Sequence, residues 1–217
     1  MIQLSRILYL IMLISLITAC GEKNTSEYFV FLNTNPEKQE LPEAEVESLQ
    51  KQHMDNMEKL ASDGDMVASG PFAGGGGMMI LLAASEEAAW DLVNSDPAVQ
   101  AGRFKVEVLP LSFIKGSICP WWVPVDMGTY GFFRFRQGPN KNPERLQDHF
   151  YQLSILEDEP GVLVQADFDD SGSGILILDE SLTDEWIERI VDNQAIQEGV
   201  IEVDIKNLSI ARGTFCD

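Results

Sequence analysis

Two histidines and two aspartates are the residues of this chain whose types and spacing best suit proton transfer. His53 and His149 are the only histidines among the 217 residues, and Asp96 and Asp192 follow them at similar distances. A histidine titrates near neutrality and can pass a proton to a bound molecule when a carboxylate orients its ring. We therefore expect His53 and Asp96, and then His149 and Asp192, to form acid/base pairs.

The same residues also have purely structural interpretations. His53 lies on the apolar stripe of a predicted helix and could be satisfied by a backbone carbonyl. Asp96 directly precedes Pro97 and could cap a turn. The position of the His53 ring separates the two hypotheses, because proton transfer needs the ring to reach Asp96 and to face a pocket.

The two His–Asp pairs belong to an internal repeat, which is a strong guide to architecture. Three pairs of distinctive residues lie 96 positions apart: His53 and His149, Trp90 and Trp186, and Asp96 and Asp192. The offset then becomes 97 for residues 100–102 with 197–199 and for residues 115–119 with 212–216. The chain therefore carries two copies of one module, and the alignment places a one-residue insertion after Asp192.

Hydrophobic patterning predicts the same six elements in each copy. They cover residues 28–32, 43–61, 66–68, 78–84, 85–94 and 104–109, and then 130–135, 143–156, 161–166, 175–178, 183–191 and 200–205. The order β-α-β-β-α-β is the ferredoxin-like plan. Because the uncovered sheet faces must be buried, we predict an α+β fold. Two tandem ferredoxin-like modules would form a pseudo-dimeric α+β barrel, monomeric but open to higher oligomers.

The N-terminal segment resembles a lipoprotein signal peptide. Arg6 precedes an apolar run at residues 7–17, which is too short to span a bilayer comfortably. Ile17-Thr18-Ala19-Cys20 resembles a lipobox, and Gly21 after it resembles an outer-membrane sorting signal. We expect lipidation at Cys20 and a cell-envelope location, on the outer membrane facing the periplasm; the alternatives are an ordinary cleaved signal or a short anchor.

The predicted organisation has five parts. Residues 1–19 form the signal peptide and residues 20–27 the lipidated tether. Residues 28–119 form the first module, residues 120–129 a linker rich in Pro and Trp, and residues 130–217 the second module.

Acidic residues dominate the charge of the chain. Fifteen Lys and Arg face 35 Asp and Glu, a formal net charge of −20 at pH 7. Phosphate binding needs a basic surface, so we expect no nucleic-acid partner. The membrane contact is expected through the lipid on Cys20 and not through electrostatic adhesion.

Cys119 and Cys216 remain after Cys20 is assigned to the lipid. Disulfides persist outside the cytoplasm, and an even pair invites a bridge. The two cysteines occupy equivalent points of the repeat, and equivalent points near a pseudo-twofold axis lie close together. We predict a Cys119–Cys216 disulfide; the alternative is two separate buried thiols.

Several motifs of the first copy occur in a recognisable order. His53 on the first helix is followed by Ser69-Gly70-Pro71-Phe72, four glycines at 74–77, an acidic helix start at 85–89 and Asp96-Pro97. This stretch, from Tyr28 to about Leu111, resembles the YCII-related family of small bacterial proteins. Residues 130–208 resemble a diverged second copy.

The resemblance to the YCII-related family implies a dimeric α+β barrel with one cleft per copy. His53 and Asp96 would be its catalytic pair, and Ser69, Gly70 and Pro71 would contribute to ligand binding. We predict no cofactor. In the second copy Gly70-Pro71 becomes Ala166-Asp167, so a role for His149 and Asp192 is less well supported by the flanking residues.

Other motifs have simpler interpretations. Residues 74–77 lack the Lys-Ser/Thr of a phosphate-binding loop and predict a hairpin turn. Residues 167–172 resemble a calcium loop but lack an acidic twelfth position, so a hairpin tip is expected. Trp90 and Trp186 are expected in the core. We predict no metal site.

Two functional hypotheses remain open. The first is an envelope lipoprotein whose barrel binds a small organic ligand, with His53 as the acid/base group. The second is a structural or protein-interaction module that kept the barrel without the chemistry.

Overall fold

The structure is a computed structural model that describes residues 25–119, 126–169 and 171–216. The predicted signal peptide, Cys20 and residues 120–125 of the predicted linker lie outside this range. The described first half contains β1 (Ser26–Thr34), α1 (Glu43–Ser62), β2 (Met66–Pro71), β3 (Gly77–Ala83), α2 (Glu86–Asn94), α3 (Pro97–Gln100), β4 (Phe104–Pro110), β5 (Ser112–Lys115) and β6 (Ser117–Ile118).

The second half follows a similar order. It contains β7 (Met127–Gln137), α4 (Pro143–Leu156), β8 (Val162–Asp167), β9 (Gly174–Leu178), α5 (Asp184–Val191), α6 (Gln194–Gln197), β10 (Ile201–Ala211) and β11 (Phe215–Cys216). The short helices α3 and α6 and the strands β5, β6 and β11 were not predicted from the sequence.

Two antiparallel sheets organise the described residues. The strand order is β2-β3-β1-β4 in the first sheet and β10-β7-β9-β8-β5 in the second, and β6 and β11 pair separately. The predicted α+β class with antiparallel sheets is therefore confirmed. No helix among the described residues is long and apolar enough to cross a membrane.

The central part of β1 is apolar without interruption because both of its faces are buried. Its side chains alternate between two environments, as a strand requires. Phe29 and Phe31 join the cluster between the two sheets, whereas Tyr28, Val30 and Leu32 pack under the helices. Both faces of the first sheet are thus buried.

The two sheets are joined at both of their edges. On one side the chain passes from β4 in the first sheet directly into β5, which pairs with β8 of the second. On the other side β2 meets β10, where Phe72 bridges to Leu208 and Ala73 N donates to Asn207 O over 2.8 Å. Aromatic and aliphatic side chains from both sheets fill the interior.

A buried arginine also links the two halves. Arg134 on β7 donates through both terminal nitrogens to Glu107 on β4, at 2.9 and 2.7 Å. Its guanidinium lies 3.8 Å above the Phe31 ring, and Asn33 donates to the same carboxylate over 2.8 Å.

The predicted disulfide is confirmed. Cys119 and Cys216 are bonded, with their Cα atoms 5.8 Å apart. The pairing of β6 with β11 places the two residues side by side, and Cys119 N donates to Thr214 O over 2.8 Å.

Candidate functional site

His53 lies in the middle of α1, on the face that approaches α3. α1 begins after Pro42 and ends at Asp63 and Gly64, and Leu60 is its only buried side chain. Its apolar stripe is therefore mostly half-buried. The side chain of His53 is 12 % exposed, which makes it one of the better covered positions of this helix.

Asp96 is held through both carboxylate oxygens. Its Oδ1 caps α3 by accepting from Ala98 N over 2.8 Å, and its Oδ2 is 2.5 Å from His53 Nδ1. The residue is 1 % exposed. Capping and histidine pairing were alternative interpretations of Asp96, and the structure shows that one carboxylate does both.

A second contact fixes α1 beside the same turn. Asn56 lies one helical turn after His53 and donates to Ser95 O over 3.1 Å and to Ser95 Oγ over 2.9 Å. Neighbouring residues on α1 thus bind neighbouring residues of the α2–α3 turn. This arrangement limits the rotation of α1 and so preserves the contact between His53 and Asp96.

The partner of His53 determines which ring nitrogen is basic. A carboxylate can only accept hydrogen bonds, so Nδ1 carries the proton in the neutral ring and Nε2 keeps its lone pair. Nε2 has no hydrogen-bond partner among the described residues. The Phe104 ring, with its centroid 5.8 Å from that of His53, supports the other side of the imidazole.

His53 borders a cavity of about 590 Å³. Most of the cavity lining comes from α1, β2 and the β2–β3 turn, and residues of the second half contribute to it. The lining residues are Leu32, Gln50, His53, Met54, Met57, Ala61, Met66, Val67, Ala68, Ser69, Gly70, Pro71, Gly76, Gly77, Met78, Phe104, Met127, Ala211 and Thr214. Its volume is in the range of small-molecule sites.

Ser69, Gly70 and Pro71, the predicted ligand-binding residues, line this cavity. Gly70 also has a packing role, because a Cβ at this position would collide with the backbone oxygen of Ser209 and with the Leu208 side chain. The glycine thus allows β2 to approach β10.

The motifs, the paired side chains and the cavity all fall in one stretch of the chain. Residues 27–112 match the YCII-related domain. The family predicted from the motifs is therefore confirmed for the first half, and the match does not extend over the second half.

Two solved structures resemble the chain as a whole. One is a proposed monooxygenase from Fusobacterium nucleatum subsp. nucleatum, with 8 % identity, a TM-score of 0.46 and coverage of 88 % of this chain and 95 % of the other. The second is a proposed chlorite dismutase, with 8 % identity, a TM-score of 0.47 and coverage of 89 % and 95 %. Comparison with curated proteins finds no match. The likeness is too distant to indicate an activity.

Outside the YCII-related half, the second histidine has a different partner from the predicted one. His149 on α4 is fully buried, and its Nδ1 is 3.3 Å from Nδ2 of Asn193. Asn193 caps α6 by accepting from Ala195 N over 2.8 Å. The group opposite His149 is therefore an amide.

The predicted pairing of His149 with Asp192 is wrong. Asp192 is exposed at the end of α5, and its carboxylate accepts from Gln197 Nε2 over 3.1 Å. Asn193 caps α6 and contacts His149 as Asp96 caps α3 and contacts His53, so the two equivalent contacts lie 97 positions apart. Asn and Asp are comparable helix caps, and aligning the two caps would have revealed this equivalence.

The surroundings of His149 leave it without access to a ligand. Because the Asn193 oxygen is occupied by Ala195 N, the Asn193 amide must donate, which puts the ring proton on Nε2. That nitrogen is buried away from solvent. The adjoining cavity measures about 50 Å³, room for a water molecule or two.

Burial also lowers the pKa of His149 from 6.5 to about 4, against a smaller opposing effect of the Gly172 backbone. Removal from water disfavours the charged form of an imidazole. His149 is therefore neutral at pH 7, in contrast to a histidine that exchanges protons with solvent.

Among the remaining predicted motifs, the glycine turn contributes Gly76 and Gly77 to the cavity lining. Residues 74–76 have positive φ angles and form the turn between β2 and β3. Trp90 and Trp186 pack against the helix-side clusters and do not line the large cavity. Asp170 of the calcium-like segment lies outside the described residues. Across the described ranges, no group of three or more His, Cys, Asp or Glu could hold a metal.

Met127, Ala211 and Thr214 were not predicted as site residues. They reach the cavity from the second half of the chain, where only tertiary packing brings them close to α1. Thr214 belongs to the repeated motif that ends in Cys216, and that repetition was the only sequence signal that pointed to this region.

Proposed function

We propose that this protein binds a small organic molecule in the cavity of its YCII-related half and exchanges a proton with it through Nε2 of His53. One observation carries the proposal. His53 Nδ1 and Asp96 Oδ2 are 2.5 Å apart, and the same ring borders a cavity of about 590 Å³. A carboxylate on one ring nitrogen makes the other a competent acid/base group.

A metabolite screen by thermal shift tests this proposal. A ligand at about 100 times its Kd raises the free energy of unfolding by roughly 2.7 kcal/mol. Each stabilising compound is then tested on Ser69→Trp, which fills the cavity, and on His53→Gln, which removes the imidazole. We expect the first variant to abolish the thermal shift and the second to reduce it, because Nε2 of His53 is no longer present to bind the ligand. Compounds that stabilise both variants as well as the wild type would argue against this site.

The proposal for the fold is a pair of tandem ferredoxin-like modules that form a pseudo-dimeric barrel within one monomeric chain, the second being a diverged YCII-like copy. The repeat offsets of 96 and 97, the similar element orders and the shared core between the sheets support it. The first half expressed alone as residues 25–119 would expose Phe29, Phe31 and Ile80, so it should dimerise or unfold. A stable monomer in sedimentation experiments would contradict this pairing.

The location is proposed from the signal sequence. The chain would be lipidated on Cys20 and tethered by that lipid to the envelope, on the periplasmic face of the outer membrane. Cys20→Ala should then move the protein from the detergent phase to the aqueous phase. Unchanged partitioning would contradict the lipid anchor.

A second candidate function is a non-catalytic interaction or scaffold module. It is favoured by the second half, where the buried His149 faces Asn193 beside a cavity of only about 50 Å³. Beside His149 this half therefore lacks both the carboxylate partner and the space for an organic ligand that proton transfer would need. Under the primary proposal, the second half contributes part of the wall of the cavity beside His53.

A further inference from the structure

The cavity beside His53 carries no fixed charge on its wall. None of the lining residues is Asp, Glu, Lys or Arg, although such residues make up 23 % of the whole chain. Asp96 lies behind the His53 ring, with both carboxylate oxygens occupied. The wall offers polar side chains only at Gln50, His53, Ser69 and Thr214.

One of these polar groups is already satisfied within the protein. Thr214 Oγ1 donates to Ala211 O over 2.7 Å, and Gln50 is exposed on the outer part of α1. His53 Nε2 and the Ser69 hydroxyl have no protein partner among the described residues. A bound molecule would therefore find its side-chain hydrogen-bond partners at His53 and Ser69 in a mainly apolar space.

Methionine side chains form much of the apolar wall. Five of the eight methionines of the chain line this one cavity: Met54, Met57, Met66, Met78 and Met127. Met54 and Met127 are 55 % and 50 % exposed, while Met78 is buried. Unbranched, polarisable thioethers adapt to differently shaped apolar and aromatic ligands.

We propose that the cavity selects an uncharged, largely apolar molecule that presents one oxygen or nitrogen to His53 Nε2. This inference rests on the proposed function and narrows it to a substrate class. An ionic ligand would lose its hydration without gaining an opposite charge, which is strongly unfavourable in an apolar site. We therefore expect phosphorylated compounds, dicarboxylates and amines to bind more weakly than uncharged molecules of similar size.

Three naphthalenes of similar size test the charge selection. The probes are 1-naphthol, naphthalene-1-sulfonate and 1-naphthylmethylammonium, titrated into the full-length protein by isothermal calorimetry. We expect 1-naphthol to bind at least about tenfold more tightly than either ion, a difference of roughly 1.4 kcal/mol. An ion that binds as tightly as 1-naphthol, or a 1-naphthol that does not bind, would overturn the inference.

Two lysine substitutions provide the reciprocal test. Met54→Lys at the exposed rim and Met57→Lys further inside should each shift the preference towards the sulfonate by about tenfold or more, because they supply the missing cation. Met57→Leu is the matched control and should leave the order unchanged. Met54→Lys lies at an exposed position, so it tests the inference even if the inner variant does not fold.

The outcomes separate this inference from the proposed function. If the sulfonate binds more tightly than 1-naphthol and still loses affinity in Ser69→Trp and His53→Gln, the charge selection is wrong and the His53 site stands. If 1-naphthol binds equally well to the wild type and to both of these variants, the site itself is wrong and the inference falls with it.

Discussion

Asp96 and Asn193 occupy the same structural position in the two halves of the chain. Each caps a four-residue helix through its Oδ1, with 2.8 Å to the amide of Ala98 or Ala195. Each also contacts Nδ1 of the histidine in its own half. Because Asp96 has a carboxylate where Asn193 has an amide, the hydrogen bond to Nδ1 runs in opposite directions in the two halves. The neutral ring therefore carries its proton on Nδ1 in His53 and on Nε2 in His149.

Asp96→Asn should move the proton of the neutral His53 ring from Nδ1 to Nε2. The new oxygen should still cap α3, as Asn193 does for α6, so the fold should survive with a loss of roughly 1–2 kcal/mol in the free energy of unfolding. Long-range ¹H–¹⁵N NMR of the imidazole reads the tautomer directly. Asn56→Ala removes the neighbouring contact to Ser95 and serves as the control, with no change of tautomer expected. An unchanged His53 spectrum in Asp96→Asn would contradict the assignment.

Asn193→Asp should give His149 a carboxylate partner like the one that His53 has in the first half. A carboxylate beside His149 favours the charged ring, so the pKa of His149 should rise from its value of about 4. The tautomer should change to Nδ1–H, because the ionised carboxylate introduced by this substitution can accept a hydrogen bond but cannot donate one. NMR titration of the His149 ring measures both effects, and a pKa that stays near 4 would refute the prediction.

The protein should lose stability as the pH falls from about 6.5 to about 4 because of His149. In this range the unfolded chain binds a proton at His149 that the folded protein cannot bind until its own pKa of about 4 is reached. The unfolding free energy should therefore fall by on the order of 3 kcal/mol and then level off. His149→Gln can still accept from Asn193 but cannot titrate. Denaturant unfolding at a series of pH values measures the unfolding free energy, which should depend less steeply on pH in this variant than in the wild type. The same pH dependence in both proteins would count against the prediction.

Glu107→Gln should destabilise the junction between the two halves. Hydrogen bonds from the Arg134 guanidinium hold the pKa of Glu107 below its ordinary value, against an opposing effect of burial. Because the pKa of Glu107 is lower in the folded protein, the ion pair stabilises the fold above the ordinary pKa of Glu. This stabilisation is lost as the pH falls through the pKa that Glu107 has in the folded state. Because Glu107 is 43 % exposed, we expect a loss of only about 1–3 kcal/mol at pH 7.

Glu202→Gln is the matched control for this pair. Glu202 meets Arg136 at 3.5 Å with both side chains well exposed, so its loss should change the stability by less than about 1 kcal/mol. Chemical denaturation of both variants at pH 7 and in mild acid measures the difference. Equal effects of the two substitutions would show that burial of Arg134 adds nothing to the pair.

Replacing both Cys119 and Cys216 by Ser should lower the unfolding free energy by about 2–5 kcal/mol. The bridge joins residues 97 positions apart, and closing a loop of that size strongly restricts the unfolded chain. The variant should also bind ligands more weakly, since Thr214 lines the cavity next to the bridge. Mass spectrometry of the non-reduced protein provides the check. Two alkylatable thiols at Cys119 and Cys216 under denaturing conditions would contradict the bond.

Much of the local structure follows from the sequence. Strands with both faces apolar and the helix start at Ser85 were recognisable because strand alternation and helix caps are set by neighbouring residues. The repeated motif around the two cysteines predicted the Cys119–Cys216 bridge, whereas the His53–Asp96 pair was predicted from the residue types and from the resemblance to the YCII-related family.

The tertiary structure decided which residues form the site. An insertion of one residue at the end of a helix can be absorbed on either side of the cap, so only the packing of α6 against α4 identified Asn193 as the partner of His149. Met127 and Thr214 reach the cavity because β10 lies against β2, a contact between residues far apart in the chain. The sequence by itself suggested the pairing of His53 with Asp96 and left the capping of a turn as the alternative. The cavity beside His53 depends on how the second half packs against the first, whereas the small cavity beside His149 is enclosed by residues of the second half. Neither follows from a local pattern, because each brings together residues from several elements.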